Sequence, residues 1–187
     1  QDSLTAQLLH RVDSLLGQSA LPTPLTNSTS YQVRPFVPLR SSRSDYGVTF
    51  TADGREIFYT SHRSPREGKK TLSPVTGEAP AKLYHLGRRP DGAWSPLPDT
   101  LRGLALPESE LGTPTLSSDG RTLYYTAITM LSTGEQVPQI YRSERTPEGR
   151  WTAGQILPLF SDSTHFAAHP SLSPSGQRLF FVSPRLD

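Results

Sequence analysis

Three stretches of the chain carry the same order of apolar and polar positions. VTFTADGREIFYTSHR (Val48–Arg63), PTLSSDGRTLYYTAIT (Pro114–Thr129) and PSLSPSGQRLFFVSPR (Pro170–Arg185) align without a gap, with the equivalent positions Asp53, Asp119 and Ser175 separated by 66 and 56 residues. In each, a short β-prone run leads into Asp53-Gly54, Asp119-Gly120 or Ser175-Gly176, where glycine takes positive φ without strain. A return run rich in Ile, Leu, Phe, Tyr and Val follows: Glu56–Thr60, Thr122–Thr126 or Arg178–Val182. The pattern predicts a β-hairpin in all three places. A return strand apolar on both sides is one covered on both faces by neighbouring sheets. The pairs Phe58-Tyr59, Tyr124-Tyr125 and Phe180-Phe181 then put one ring on each face and are expected in the core.

A second element repeats between the hairpins. RRPDGAWSPL (Arg88–Leu97) resembles RTPEGRWTAG (Arg145–Gly154), with Trp94 and Trp151 57 residues apart, and the strand-like KLYHL (Lys82–Leu86) and QIYRS (Gln139–Ser143) precede them at the same offset. A strand, a Pro-Asp-Gly or Pro-Glu-Gly turn and a Trp-led strand complete four antiparallel strands per repeat. One such sheet cannot bury both faces alone, so tandem copies must stack. The equivalent placement of Trp94 and Trp151 predicts packing between repeats ahead of an exposed platform for sugars or bases. Before the repeats, Leu4, Leu8, Val12, Leu15 and Leu16 fall at helical spacing and predict an amphipathic helix over 1–17, with Gly17 at its end. Residues 18–30, rich in Pro, Thr, Ser and Asn, read as a linker, and 31–187 as the repeat domain.

Composition supports an all-β chain: of 187 residues, 18 are Pro and 14 Gly, and 34% are hydrophobic. The net charge of +2 and the scattered arginines weigh against nucleic acid as a partner. The lack of cysteine excludes disulfides, thiolate zinc sites and a cysteine nucleophile. No apolar stretch approaches the ~20 residues of a membrane-spanning helix. No nucleophile elbow, H-E-x-x-H, phosphate loop or dinucleotide fingerprint is present, so no catalytic residue and no cofactor are assigned. His165 and His169, with Asp162, are the one set to weigh as metal ligands, but their setting reads as loop into strand, where such spacing does not converge. The Asp-Gly turns lack the D-x-D-x-D-G pattern of a calcium loop.

The three aligned stretches resemble the WD-repeat-like β-propellers of the TolB type, whose blades carry P-x-[WFL]-S-P-D-G-[KR]-x-[IL]-x-[FY]-x-S-x-R. Pro114–Thr126 and Pro170–Arg185 fit well, and Arg63 and Arg185, two places after Ser61 and Ser183, fit the end of the motif. The first copy departs with Val48 and Ala52 in place of proline, and the middle copy ends in Ala127-Ile128-Thr129. The resemblance implies a partial β-propeller of about three blades after a short helix. A closed propeller needs at least ~4 blades, so either the chain is a fragment or its blades complete a sheet array with partner chains; the fragment is the favoured expectation, because an open stack would expose the flat apolar face of its last blade. The nearest flavour is that of OmpA-family envelope proteins of Bacteroidetes-like bacteria, some of them in type IX secretion and gliding. It implies a non-catalytic, protein-binding scaffold, periplasmic or outer-membrane-associated, with protein partners and with peptidoglycan or glycan association through domains not in this sequence. Arg63 and Arg185, with Asp45 and Asp119, are candidates to line one mouth and bind an anionic group; the competing reading is ion pairs within a blade. The insertion Ser64–Pro80 is a second candidate surface. The alternatives are the propeller portion of a hydrolase, prolyl-oligopeptidase-like or glycan-acting, and a lectin-like module.

Overall fold

The computed structural model describes residues 34–63, 72, 77–104, 109–131, 133–160 and 165–184. The chain divides into two compact units, Gln1–Pro35 and Phe36–Asp187. The helix predicted over 1–17, the linker 18–30, most of the Ser64–Pro80 insertion, Asp162 and Arg185 lie outside the described residues.

The second unit is all-β, built of three antiparallel sheets, none of them closed. The first holds β1 (Asp45–Phe50), β2 (Glu56–Ser61), β3 (Lys82–Gly87) and β4 (Asp99–Thr100) in chain order. The second repeats that order with β5 (Leu111–Leu116), β6 (Thr122–Met130), β7 (Gln136–Glu144) and β8 (Gln155–Ile156), and the third is the pair β9 (Ala168–Leu172) and β10 (Leu179–Val182). All three predicted hairpins are present, and Gly54, Gly120 and Gly176 turn them at φ of 65°, 67° and 71°. The aspartates make the turns self-sufficient. Asp53 Oδ1 accepts from Thr51 Oγ1 and Arg55 N–H, and Asp119 Oδ1 from Ser117 Oγ and Arg121 N–H, which holds both carboxyls below the ordinary range. Ser175 takes the same place with its hydroxyl against Ser173.

The tryptophans do not lead the outer strands as expected. Trp94 and Trp151 form isolated bridges with Arg88 and Arg145 beside the turn, and the outer strand resumes only at Asp99 and Gln155. Two ladder residues suffice for an outermost strand, and a short edge resists adventitious pairing.

Each first strand of a sheet carries a bulge that the sequence pattern does not announce. Pairing with the return strand slips between Tyr46 and Thr49, between Gly112 and Thr115, and opposite Phe180 and Val182. Gly47, Thr113 and His169 occupy the same repeat position and all have positive φ, 60°, 48° and 56°. For Thr113 and His169, left-handed backbone costs about 1–2 kcal/mol. An inter-sheet bond offsets it: Thr113 N–H donates to Thr60 Oγ1 of the first sheet at 2.8 Å, and His169 N–H donates to Thr126 Oγ1 of the second at 2.9 Å. Thr60 and Thr126 are themselves repeat equivalents. One stitch thus recurs at two successive joints.

Apolar packing follows the stitches. Phe58 and Leu83 of the first sheet meet Leu111, Leu116, Leu123, Tyr125 and Ala127 of the second in one buried cluster. Ile57, Tyr59, Tyr84 and Leu86 form another on the opposite face of the first sheet, under Leu39 and Trp94. Phe58 and Tyr59 therefore face opposite ways, as the alternation requires. In the third copy the core expectation is corrected: Phe180 and Phe181 are 59% and 37% exposed, because no described residues cover the far face or the outer edge of β10.

Replacing Thr60 by valine keeps the shape and orphans the Thr113 N–H. Thr60→Val is expected to lower the stability of the β unit by about 1–2 kcal/mol, read as a shifted urea midpoint with unchanged slope.

Candidate functional site

The strand ends that carry Asp45, Ser61 and Lys82 gather most of the functional candidates. Arg63 follows β2, and its guanidinium binds both the first sheet and the turn before it. Nε donates to Ser61 Oγ at 3.0 Å, and Nη2 donates to Leu39 O at 2.6 Å and to Asp45 Oδ1 at 3.0 Å. The plane lies over the Tyr59 and Tyr84 rings, 5.3 and 5.4 Å from their centroids. Asp45 also accepts from Ser41 Oγ at 2.6 Å. Arg63 and Asp45 thus satisfy one another and tie the short 3-10 turn Val37–Leu39 to the sheet. Asp119, expected at the same mouth, sits in the β5–β6 turn at the opposite strand ends.

Beside this pair, side chains that no sequence motif singles out form a polar and aromatic surface in which carboxylates of Glu78 and Glu110 lie among Lys82, Arg43 and His62. Tyr46 lies 5.9 Å from the His62 ring, and its hydroxyl approaches Gly112 of the second sheet. His62 Nδ1–H donates to Ala79 O at 2.7 Å, with Glu78 Oε2 3.8 Å away. The Ser44 side chain, and less so the Ser44 N–H that Glu78 accepts at 3.2 Å, lowers the Glu78 carboxyl, while burial and the charges of Glu110 and Glu78 push the Tyr46 phenol up. Lys82 reaches across to Ser109 O at 2.6 Å. The surface offers hydrogen-bond acceptors, two carboxylates and a half-exposed phenol.

At the other strand ends the two sheets are clamped by charge. Glu56 opens β2 and accepts from both guanidinium nitrogens of Arg145, at 2.6 and 2.8 Å, and from His85 Nε2–H at 2.8 Å. The His85 and Arg145 hydrogen bonds pull its carboxyl down to about 2 against partial burial. The Arg145 plane lies 5.8 Å from the Trp151 centroid, and Trp151 meets Phe58 edge-on at 5.8 Å across the joint. Arg88 repeats the contact over Trp94 at 4.5 Å, and Phe36 supplies the edge-on ring at 5.4 Å. Each indole therefore has its own cation over the ring and a phenylalanine at its side, an arrangement for packing.

A carboxyl held below its unfolded value adds stability above that value and loses it as the pH falls. Wild type is therefore expected to be more stable than Glu56→Gln by about 1–2 kcal/mol at pH 7, allowing for solvent screening. The difference should shrink between about pH 5 and pH 2, where Glu56 protonates in the folded state. Thermal unfolding of both proteins across that range measures it; a constant gap would remove the clamp as its cause.

His165 lies against Phe160, ring centroids 5.2 Å apart, and His169 sits exposed at the third bulge; among the described residues no three metal-ligating side chains converge. No described helix is long and apolar enough to cross a membrane. The chain matches no protein-family model, and no curated protein is found to be similar to it.

Proposed function

We propose that this chain is part of a β-propeller of the WD-repeat-like, TolB type and serves as a non-catalytic scaffold that holds partner proteins in the bacterial cell envelope, in the periplasm or at the outer membrane. The observation that supports it most is the register of the stack: two successive joints use the same threonine-to-bulge hydrogen bond at equivalent repeat positions. Sheets repeated in one register present their connections at two rims, and such rims are where propellers and other rigid scaffolds carry binding residues. The rim with Tyr46, His62, Glu78 and Glu110 is the face assigned to the partner, and its carboxylates match a basic surface. A lectin-like role would need free indole faces; here arginine and phenylalanine side chains take those positions.

The full-length protein, carrying a photo-cross-linking residue at position 46 in the cells that make it, tests the proposal. It is expected to fractionate with the envelope and to give one discrete product with a second protein, lost on joint Glu78→Lys and Glu110→Lys substitution. A cytosolic location, or a product indifferent to that charge reversal, would contradict the reading.

A further inference from the structure

Leu39 and Leu104 stand at one place in the repeat, in the connections that run into β1 and β5. Each packs on the face of its sheet that carries the tyrosine of the return strand, Tyr59 in the first and Tyr125 in the second. Phe36 and Leu101, each three residues earlier, follow the same course, Phe36 against Trp94 and Leu101 against the cluster of Tyr125. The hydrogen bonds differ. Tyr125 Oη donates to Leu104 O at 2.7 Å, whereas Tyr59 Oη is buried with no partner among the described residues. The Leu39 carbonyl is taken by Arg63 Nη2 at 2.6 Å instead. Arg63 has no counterpart in the second sheet, where Thr129 occupies its repeat position. Leu104 is fully buried, while Leu39 sits only half-buried.

We propose that the segment Phe36–Ser41 is a strap with two seats on the first sheet. In the seat described above, Arg63 holds Leu39 O. In the second, Leu39 sinks as Leu104 does and Leu39 O accepts from Tyr59 Oη. The guanidinium prevails in the free chain because a charge-assisted donor is the stronger one. The exchange leaves Leu39 O with a donor and satisfies a buried hydroxyl that otherwise has none. It does not dislodge Arg63: Nη2 keeps Asp45 Oδ1, Nε keeps Ser61 Oγ, and the Tyr59 and Tyr84 rings stay beneath the plane. What it releases is guanidinium N–H at the rim beside Tyr46 and His62. A backbone carbonyl of a docked partner is the neutral acceptor that replaces Leu39 O there without adding charge next to Asp45. Such a partner draws the strap into its second seat, and the seated strap strengthens the partner's hold by the same factor. That coupling rests on the rim being the docking face, whereas the exchange itself does not.

A double-mutant cycle on the full chain tests the exchange, read as the folded-to-unfolded ratio in urea. Tyr59→Phe is expected not to lower the ratio in the wild type, where the hydroxyl is idle. In a second background, Arg63→Met removes the competing donor and Asp45→Asn avoids an unpaired carboxylate, while the methionine stem still covers the tyrosine rings. There the strap takes its second seat, and Tyr59→Phe should lower the ratio about three- to tenfold. The milder Arg63→Lys keeps a cation beside Asp45 but lacks the fork that spans Asp45 and Leu39 O, and should show the same dependence. The carbonyl carbon shift of Leu39 reports the bond directly: Tyr59→Phe should move it in both altered backgrounds and leave it in place in the wild type. An equal response to Tyr59→Phe in all three backgrounds, or none in any, would overturn the proposal. A loss already present in the wild type would overturn it too, since an ordered water would then serve the hydroxyl. None of these outcomes bears on the cross-linking test of the scaffold function.

Discussion

Truncating Phe58 to alanine is expected to cost the β unit about 3–5 kcal/mol, the range for removing a fully buried phenylalanine whose site cannot collapse. Phe58 has no exposed surface and joins the cluster in which Leu83 of its own sheet meets Leu111, Leu116, Leu123 and Tyr125 of the next. Its ring also touches His85, centroids 4.9 Å apart, and the edge of Trp151. The residues around the void belong to two sheets, each fixed by its own ladder, so neither can move in to fill it. Guanidinium unfolding should show a midpoint shift of that size. Tyr59→Phe on the same strand is the contrast: the Tyr59 hydroxyl is buried without a hydrogen-bond partner among the described residues, so losing it should leave stability unchanged or raise it.

Gly154→Ala should be comparably damaging for the opposite reason. A β-carbon at Gly154 would fall on the Tyr125 hydroxyl, 2.5 Å from Leu104 O and 3.0 Å from Tyr125 Cζ. Leu104 O already accepts from Gly154 N–H at 2.9 Å and from Tyr125 Oη at 2.7 Å. Relief requires the backbone to withdraw or Tyr125 to leave the core, either of which breaks one of those bonds. A loss of about 3 kcal/mol follows from overpacking plus an orphaned buried polar group. Tyr125→Phe should partly rescue Gly154→Ala, since it removes the atom first struck; equal stability of the single and double variants, by thermal unfolding, would show that the backbone clash alone decides.

Much of the fold was legible because its cues are local. The Asp-Gly and Ser-Gly turns close hairpins by their own hydrogen bonds, and the paired aromatic residues of Glu56–Thr60 signal a strand covered on both faces. The repeat of Trp94 and Trp151 points to packing between repeats; Trp151 packs across the joint against Phe58, whereas Trp94 packs against Phe36 and the outer-face cluster of its own sheet. The bulges were not legible. Gly47 hints at left-handed backbone, but Thr113 and His169 hold the same conformation through contacts with the preceding sheet. Arg63 stands out at the motif's end, and the structure pairs it with Asp45. The Glu56–Arg145 clamp joins residues 89 apart, beyond any local pattern. One trace was present: Arg88 and Arg145 recur at one repeat position, and Glu56 is an acidic residue where its equivalents are Thr122 and Arg178. Tyr46, His62, Glu78 and Glu110 meet only because sheets and loops converge, and nothing in their spacing foretells it.

Successive sheets are locked face to face by the threonine-to-bulge bond, and amide hydrogen exchange at Thr113 tests that lock most directly. Thr113 lies on the first strand of its sheet, where an unstacked edge amide would exchange at close to the unfolded rate. The structure predicts a protected Thr113 amide in the wild type and selective loss of that protection in Thr60→Val, with His169 still held by Thr126. A Thr113 amide that exchanges freely in the wild type, or one that stays protected when Thr60 is valine, would contradict the stack.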